Sequence, residues 1–253
     1  MKYLIINADD CNLTPGVTRG VLKSHDGGIP TSTTLLINLP LDERTVRELK
    51  KRPKLGVGLH LNVTLGSPVN APSSIRSLLK KEGIFRRQED YFTKAPLSKD
   101  VVKEYEAQIR LFEKRFGCKP DHLDTHHHLH DFPLFFRALR VVARKWKLPI
   151  RRSRIFQLSE FKHETMSIRT TGYLFGNLET HSHWDHDSFL GVVENLPAGT
   201  SEISCHPAYC DAELRQISSF REAREEELKV FSNRRLHKTL SELGIELIRF
   251  SDL

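Results

Sequence analysis

The segment Asp121-His-Leu-Asp-Thr-His-His-His-Leu-His130 places five of the chain's thirteen histidines beside two aspartates. Imidazoles and carboxylates at that density can hold a divalent cation: zinc, iron or manganese, or magnesium where fewer imidazoles take part. The cluster lies in mid-chain among Leu123, Leu129 and Phe132, which an appended affinity tag would not do. Further candidates stand where apolar runs stop. Asp9 and Asp10 follow Tyr3-Leu-Ile-Ile6, His60 lies inside the run 55–63, His126 belongs to the cluster, and His206 follows the run through Ile203. Two adjacent carboxylates repel when both are buried, whereas a cation bound by one lets the other stay ionised nearby as a base. The competing readings are a solvated turn for Asp9-Asp10 and a hydrogen-bonded core histidine for His60. Four segments that bring ligand-type groups to one place favour the chemical reading.

Such groups converge only if several strands end on the same face. Residues 3–6, 33–38, 55–63, the segment carrying the histidine cluster, the run ending at Cys205 and residues 246–250 read as strands. Helical patterns over 16–26, 41–51, 99–116, 133–147 and 219–243 separate them. This alternation predicts a largely parallel sheet of seven or eight βα units, with catalytic groups at the C-terminal strand ends. Residues 64–98, rich in Pro, Ser, Gly and Lys, read as a loop excursion over one face, and 149–188 carry no clear pattern.

At 253 residues the chain can bury one full core, and a single domain over 1–253 is expected. No apolar run approaches the roughly 18 residues of a membrane span, and the mean hydropathy is −0.42. The N-terminal apolar run is too short for a signal peptide, so a cytoplasmic location is expected. The four cysteines, Cys11, Cys118, Cys205 and Cys210, form no CxxC pair and read as reduced thiols. The net charge of +7 is spread over short groups such as Arg86-Arg87, Arg151-Arg152 and Arg234-Arg235. Without an aromatic-interleaved basic stripe this is a solvated surface and not a nucleic-acid interface.

Taken together, Asn7-Ala-Asp-Asp10, Thr31-Ser-Thr-Thr34, Gly58-Leu-His-Leu61, Lys119-Pro-Asp-His-Leu-Asp-Thr-His-His-His-Leu-His130, Glu202-Ile-Ser-Cys-His-Pro207, Phe220-Arg-Glu-Ala-Arg-Glu-Glu-Glu-Leu228 and Gly244-Ile-Glu-Leu-Ile248 resemble the YdjC-like (ChbG-like) carbohydrate deacetylases. The resemblance implies an α/β fold, a distorted TIM-like (β/α) barrel, with one divalent metal ion, magnesium or zinc, held by Asp10, His60 and His126. It implies Asp9 as general base, His206 as general acid and Asp124 as a carboxylate that orients a ligand. The implied substrate is a small acetylated sugar or oligosaccharide of the diacetylchitobiose type, and the implied assembly is a homodimer. The chain departs from the family pattern at Cys11-Asn12, where phenylalanine and glycine are usual, and at Ala208, where glycine is usual. Cys11 is expected to pack rather than to become a fourth ligand. Alternation along a strand would turn some of His127, His128 and His130 away from the pocket.

A second patch, His181-Ser-His-Trp-Asp-His-Asp187, reads as a surface loop whose Trp184 could stack on a pyranose ring. Two rival functions share these residues. One is a metal-dependent phosphoesterase or sugar isomerase on a similar barrel, for which a binuclear site would argue. The other is a non-catalytic metal- or carbohydrate-binding protein, which would have no use for Asp9.

Overall fold

The computed structural model describes residues 1–176 and 183–253. Its strands are β1 (Lys2–Cys11), β2 (Ser32–Leu35), β3 (Gly56–Leu61), β4 (Leu123–Thr125), β5 (Tyr173–Phe175), β6 (Gly199–Cys205) and β7 (Ile245–Leu247). They form one parallel sheet in the order β4-β3-β2-β1-β6-β5, with β7 also paired to β1. β2 and β7 share one edge of β1: β7 lies against Lys2–Leu4 and β2 against Asn7–Cys11. The α-helices among the described residues are α1 (Pro15–Gly27), α2 (Glu43–Lys50), α3 (Gln88–Thr93), α4 (Ser98–Phe116), α5 (Pro133–Trp146), α6 (Lys162–Thr165), α7 (His186–Glu194), α8 (Ala212–Ile217), α9 (Ala223–Phe231) and α10 (Leu236–Glu242). None is long and apolar enough to cross a membrane.

The sheet curls strongly. Ile150 bridges to Leu123 of β4, and the next residue, Arg151, reaches Glu202 of β6 at 2.7 Å. In the sheet order β3, β2 and β1 stand between β4 and β6, so the side chain crosses the hollow of an open, distorted (β/α) barrel. The apolar core lies on the convex side. There Leu4, Ile6, Ala8, Leu35, Leu59 and Leu61 pack beneath Val17 and Val21 of α1, Tyr105 and Ile109 of α4, and Phe136 and Leu139 of α5. The hollow instead holds Asn7, Asp9, Thr34, His60, Asp124, Arg151 and Glu202, all buried. A polar interior of this kind is stable only if its groups pair with one another.

Local signals set the helix limits. Thr14 accepts from Val17 N ahead of Pro15 in α1, Gly117 closes α4 at φ 73°, and α5 begins at Pro133. The expected helix over 219–243 is instead two, α9 and α10. The Asn233 side chain accepts from Arg235 N and starts a new turn, while the Phe231 carbonyl accepts from Ile29 N, outside the helix. The excursion over 64–98 has little apolar pattern because polar bonds fix it. Glu104 of α4 accepts from Val69 N and Asn70 N, Asp100 from Ser77, and Tyr91 donates to Val63 O.

α1 lies directly against the loop that follows β6. A Cβ on Gly20 would stand 2.4 Å from Ala208 Cα and 2.6 Å from Pro207 O, both backbone atoms. Gly20→Ala must therefore displace the loop carrying His206, and should cost about 1–3 kcal/mol in denaturant unfolding. Gly191→Ala, in α7, would meet nothing within 4 Å and should leave stability unchanged or raised by about 0.5–1 kcal/mol.

Candidate active site

Regular alternation would send Asp9 and Asp10 to opposite faces of the sheet. The pairing of β1 with β2 slips between Ala8 and Cys11, and Asp10 and Asn12 take left-handed φ of 66° and 73°. This bulge re-aims Asp10 so that both carboxylates enter the hollow at the C-terminal end of β1. Asp and Asn are the non-glycine types that tolerate such a backbone.

The two neighbours then diverge. Asp10 Oδ1 lies 3.3 Å from His60 Nε2 and 3.1 Å from His126 Nδ1. All three side chains are buried, and their ligand atoms lie within 4.8 Å of one another. Atoms bound to one tetrahedral zinc at about 2.0–2.2 Å would stand roughly 3.3–3.6 Å apart. Asp124 Oδ1 lies 2.6 Å from His60 Nδ1, which fixes the ring so that Nε2 faces Asp10. Burial alone would discharge His60, but Asp124 and Asp10 outweigh it and raise the ring to about 10. The field at this point favours a cation, and the donor set fits a divalent ion.

Asp9 turns instead to Arg151. The guanidinium donates from its two terminal nitrogens to Asp9 Oδ2 at 2.7 Å and Oδ1 at 2.6 Å, and lies 2.8 Å from Asp124 Oδ2 and 2.7 Å from Glu202 Oε1. Asn7 Nδ2 also donates to Asp9 Oδ1 at 2.7 Å. Burial opposes charge on Asp9, but Arg151 outweighs it and holds the carboxyl below its ordinary range. Glu202 is driven upward by burial, against the pull of Arg151.

His206 Nε2 stands 3.9 Å from Asp9 Oδ2. Burial, and after it Arg224, lowers the ring to about 4, so it rests neutral near pH 7. Its backbone N–H donates to Glu227, which also accepts from Trp184 N, and burial pushes Glu227 up to about 7. Thus Asp9, Asp10, His60, Asp124, His126 and His206 converge.

Several expectations need correction. His127, His128 and His130 lie in a 3₁₀ segment, His126–Asp131, with left-handed φ at His127 and His128, so strand alternation does not govern them. His130 is buried against Thr125, and His127 lies 3.0 Å from Thr64 Oγ1. Trp184 is buried, donates Nε1–H to Ser204 O at 2.8 Å and packs edge-on to Phe189, so it offers no face to a sugar. Asp185 caps α7, while His181 and Ser182 lie outside the described residues. Cys11, by contrast, packs in the core as expected, where burial raises its thiol to about 12.

Arg151, grouped with Arg152 as surface, is fully buried, and Arg224, Glu202 and Glu227 were not foreseen as part of the site. The available signal was that Arg151 follows the apolar Leu148-Pro149-Ile150 directly.

Residues 3–242 match the family of YdjC-like proteins. The chain is 33% identical over 252 residues to a carbohydrate deacetylase of Geobacillus stearothermophilus, covering 99% of this chain and 98% of that one. It is likewise 33% identical over 257 residues to a chitooligosaccharide deacetylase of Proteus mirabilis (strain HI4320), covering 99% and 98%. A crystal structure of an Enterococcus faecalis V583 protein, provisionally named for cellobiose-phosphate cleavage, superposes with a TM-score of 0.88 at 30% identity, over 99% and 98% of the two chains. A family 4 acetyl xylan esterase from Clostridium thermocellum, solved with a cobalt ion, shares the fold at a TM-score of 0.52 and 10% identity, over 97% and 87%. With its barrel, its motifs and its full-length relatives in agreement, the chain belongs to the YdjC-like family, whose matched relatives are named as carbohydrate deacetylases.

Proposed function

We propose that this protein is a metal-dependent N-deacetylase that hydrolyses the acetamide of N-acetylglucosamine-containing oligosaccharides and releases acetate. The observation that carries the reading is the sorting of Asp9 and Asp10. One bulge delivers both, Asp10 to His60 and His126, and Asp9 to Arg151 and His206. Ligand and base are thereby held apart. A binding protein would need the second carboxylate only as a partner of Arg151, and not beside His206.

Asp10, His60 and His126 would hold the ion, and a His₂Asp set suits zinc better than magnesium, which prefers oxygen ligands. When bound, such an ion polarises the acetyl carbonyl and brings the pKa of a coordinated water from 15.7 to about 7. Asp9 would be the group that takes a proton from the attacking water. Oδ1 accepts from both Asn7 and Arg151, whereas Oδ2 accepts from Arg151 and faces His206, so Oδ2, with one donor fewer, is the atom that receives it. His206, neutral at rest, then accepts a proton across the short path from Asp9 and gives it to the departing amine. Without that protonation the amine is the poorer leaving group and the tetrahedral species reverts.

A binuclear phosphoesterase is disfavoured by the site itself. Asp9, His60 and Asp124 also come close enough to share an ion, but Arg151 lies within 2.8 Å of both carboxylates and fills the position with its own charge. A cytoplasmic homodimer of single-domain chains, expected from composition and resemblance, completes the proposal.

Metal-stripped protein should release acetate from diacetylchitobiose when resupplied with zinc, and more slowly with magnesium. Asp9→Asn should abolish release while leaving metal binding intact; full activity in that variant would refute the base assignment. R151K keeps a charge but not the two-nitrogen grip on Asp9. We expect kcat/KM to fall about 10- to 100-fold. Because Arg151 depresses Asp9, weakening the grip should also move the acid limb of the pH–rate profile to higher pH. An unchanged limb with lowered kcat/KM would contradict the role given to Arg151.

A further inference from the structure

The carboxylate of Asp10 has two oxygens with different partners. Oδ1 faces His60 Nε2 and His126 Nδ1, whereas Oδ2 receives Arg224 from the first turn of α9, at 2.8 Å. Arg224 is itself buried, at 4% exposure, and is fixed along its length. Its Nε donates to Phe220 O at 2.9 Å, its guanidinium carbon lies 5.4 Å from the Phe220 ring centroid, and its carbonyl accepts from Ala208 N at 3.1 Å. Phe220 in turn packs edge-on to His206, with ring centroids 5.5 Å apart. One residue therefore touches both halves of the site: the carboxylate beside the two histidines, and the loop that presents His206.

A guanidinium so constrained has only a small range of positions, and a carboxylate oxygen fixed to it is less free to swing onto an ion held at the other oxygen. Helix α9 adds a second anchor one turn on, where Glu227 accepts from His206 N. We infer that Arg224 is a positioning residue of the metal centre: it engages Asp10 Oδ2, restricts Asp10 to one-oxygen ligation through Oδ1, and sets the distance between the ion and His206. This rests on the assignment of Asp10, His60 and His126 as the triad. The benefit is chemical. A carboxylate ligating through both oxygens would occupy two positions around the ion, where the water and the acetyl oxygen must both find room. Arg224 keeps one of them open. Its positive charge beside Asp10 also lowers the negative charge the ligand can donate, so tight binding is exchanged for an accessible coordination position.

Cobalt substitution reads this without substrate. In the structure of the wild-type protein loaded with cobalt, Asp10 Oδ1 should lie at ligand distance, about 2.0–2.2 Å, with Oδ2 still on Arg224. Both oxygens on the ion, or Arg224 turned away from Asp10, would overturn the inference, and this measurement needs no variant to fold. R224Q should still bind one cobalt per chain, but with weaker and shifted visible absorption as Oδ2 joins the ion and the coordination number rises. Its kcat/KM should fall about 10- to 100-fold, with R224K recovering part of both. Wild-type absorption and turnover in R224Q would count against the inference. Failure of the wild-type protein to bind cobalt would sink the triad as well, whereas binding without acetate release would leave Arg224's role standing and refute only the proposed substrate.

Discussion

A single guanidinium without solvent contact, that of Arg151, lies among three carboxylates drawn from three parts of the sheet: Asp9 of β1, Asp124 of β4 and Glu202 of β6. It is the strut of the barrel's hollow. Charge this deep is tolerated only when paired at good geometry, and removing one partner from such a network typically costs about 3–5 kcal/mol. Arg151 can reach all three only because the sheet curls, so barrel curvature and charge pairing depend on each other. With Glu202 and Glu227 both pushed upward by burial, Asp9, Asp10 and Asp124 face Arg151, Arg224 and the ring of His60. The three carboxyls are held below their ordinary range, and His60 is drawn up to about 10, so its proton supplies the third positive charge. A divalent cation beside Asp10 would take the place of that proton.

The hollow explains how two adjacent aspartates come to lie in two different surroundings. Adjacent aspartates on a straight strand would point apart, one into the apolar core. The slip in β1 and the left-handed backbone at Asp10 bring both inward, and their partners then differ. Asp10 meets imidazoles, while Asp9 meets a fork of nitrogens that locks its orientation. α1 and α9 press the His206 loop against this pair, α1 through the close approach at Gly20 and α9 through Arg224 and Glu227. His206 is thus positioned by two helices from opposite ends of the chain, α1 directly after the Asp9-Asp10 strand and α9 near the C-terminus.

Much of this was legible in the sequence. Asp9-Asp10 and His206 stood where apolar runs ended, His60 lay within one and His126 in the histidine cluster, and strand-end convergence follows from the alternation of strands and helices. Resemblance to a family supplied the roles. What sequence reasoning missed was the charged frame. A buried arginine looks like any surface arginine until its partners are known, and those of Arg151 lie up to 142 residues away. Apolar periodicity likewise ran α9 and α10 together, since the break depends on Asn233 and on a distant bond from Ile29 to Phe231. Trp184 was misjudged because a tryptophan in a polar segment gives no sign that its N–H will find the Ser204 carbonyl.

The claim on which the account rests is that this pocket of buried carboxylates takes one divalent ion, at Asp10, His60 and His126. Titration calorimetry of stripped protein with zinc, on the wild type and on His126→Ala, tests it most directly. One ion per wild-type chain, with affinity lost or reduced by at least about tenfold in the variant, is the predicted result. Two ions per chain, or binding unaffected by His126→Ala, would contradict it.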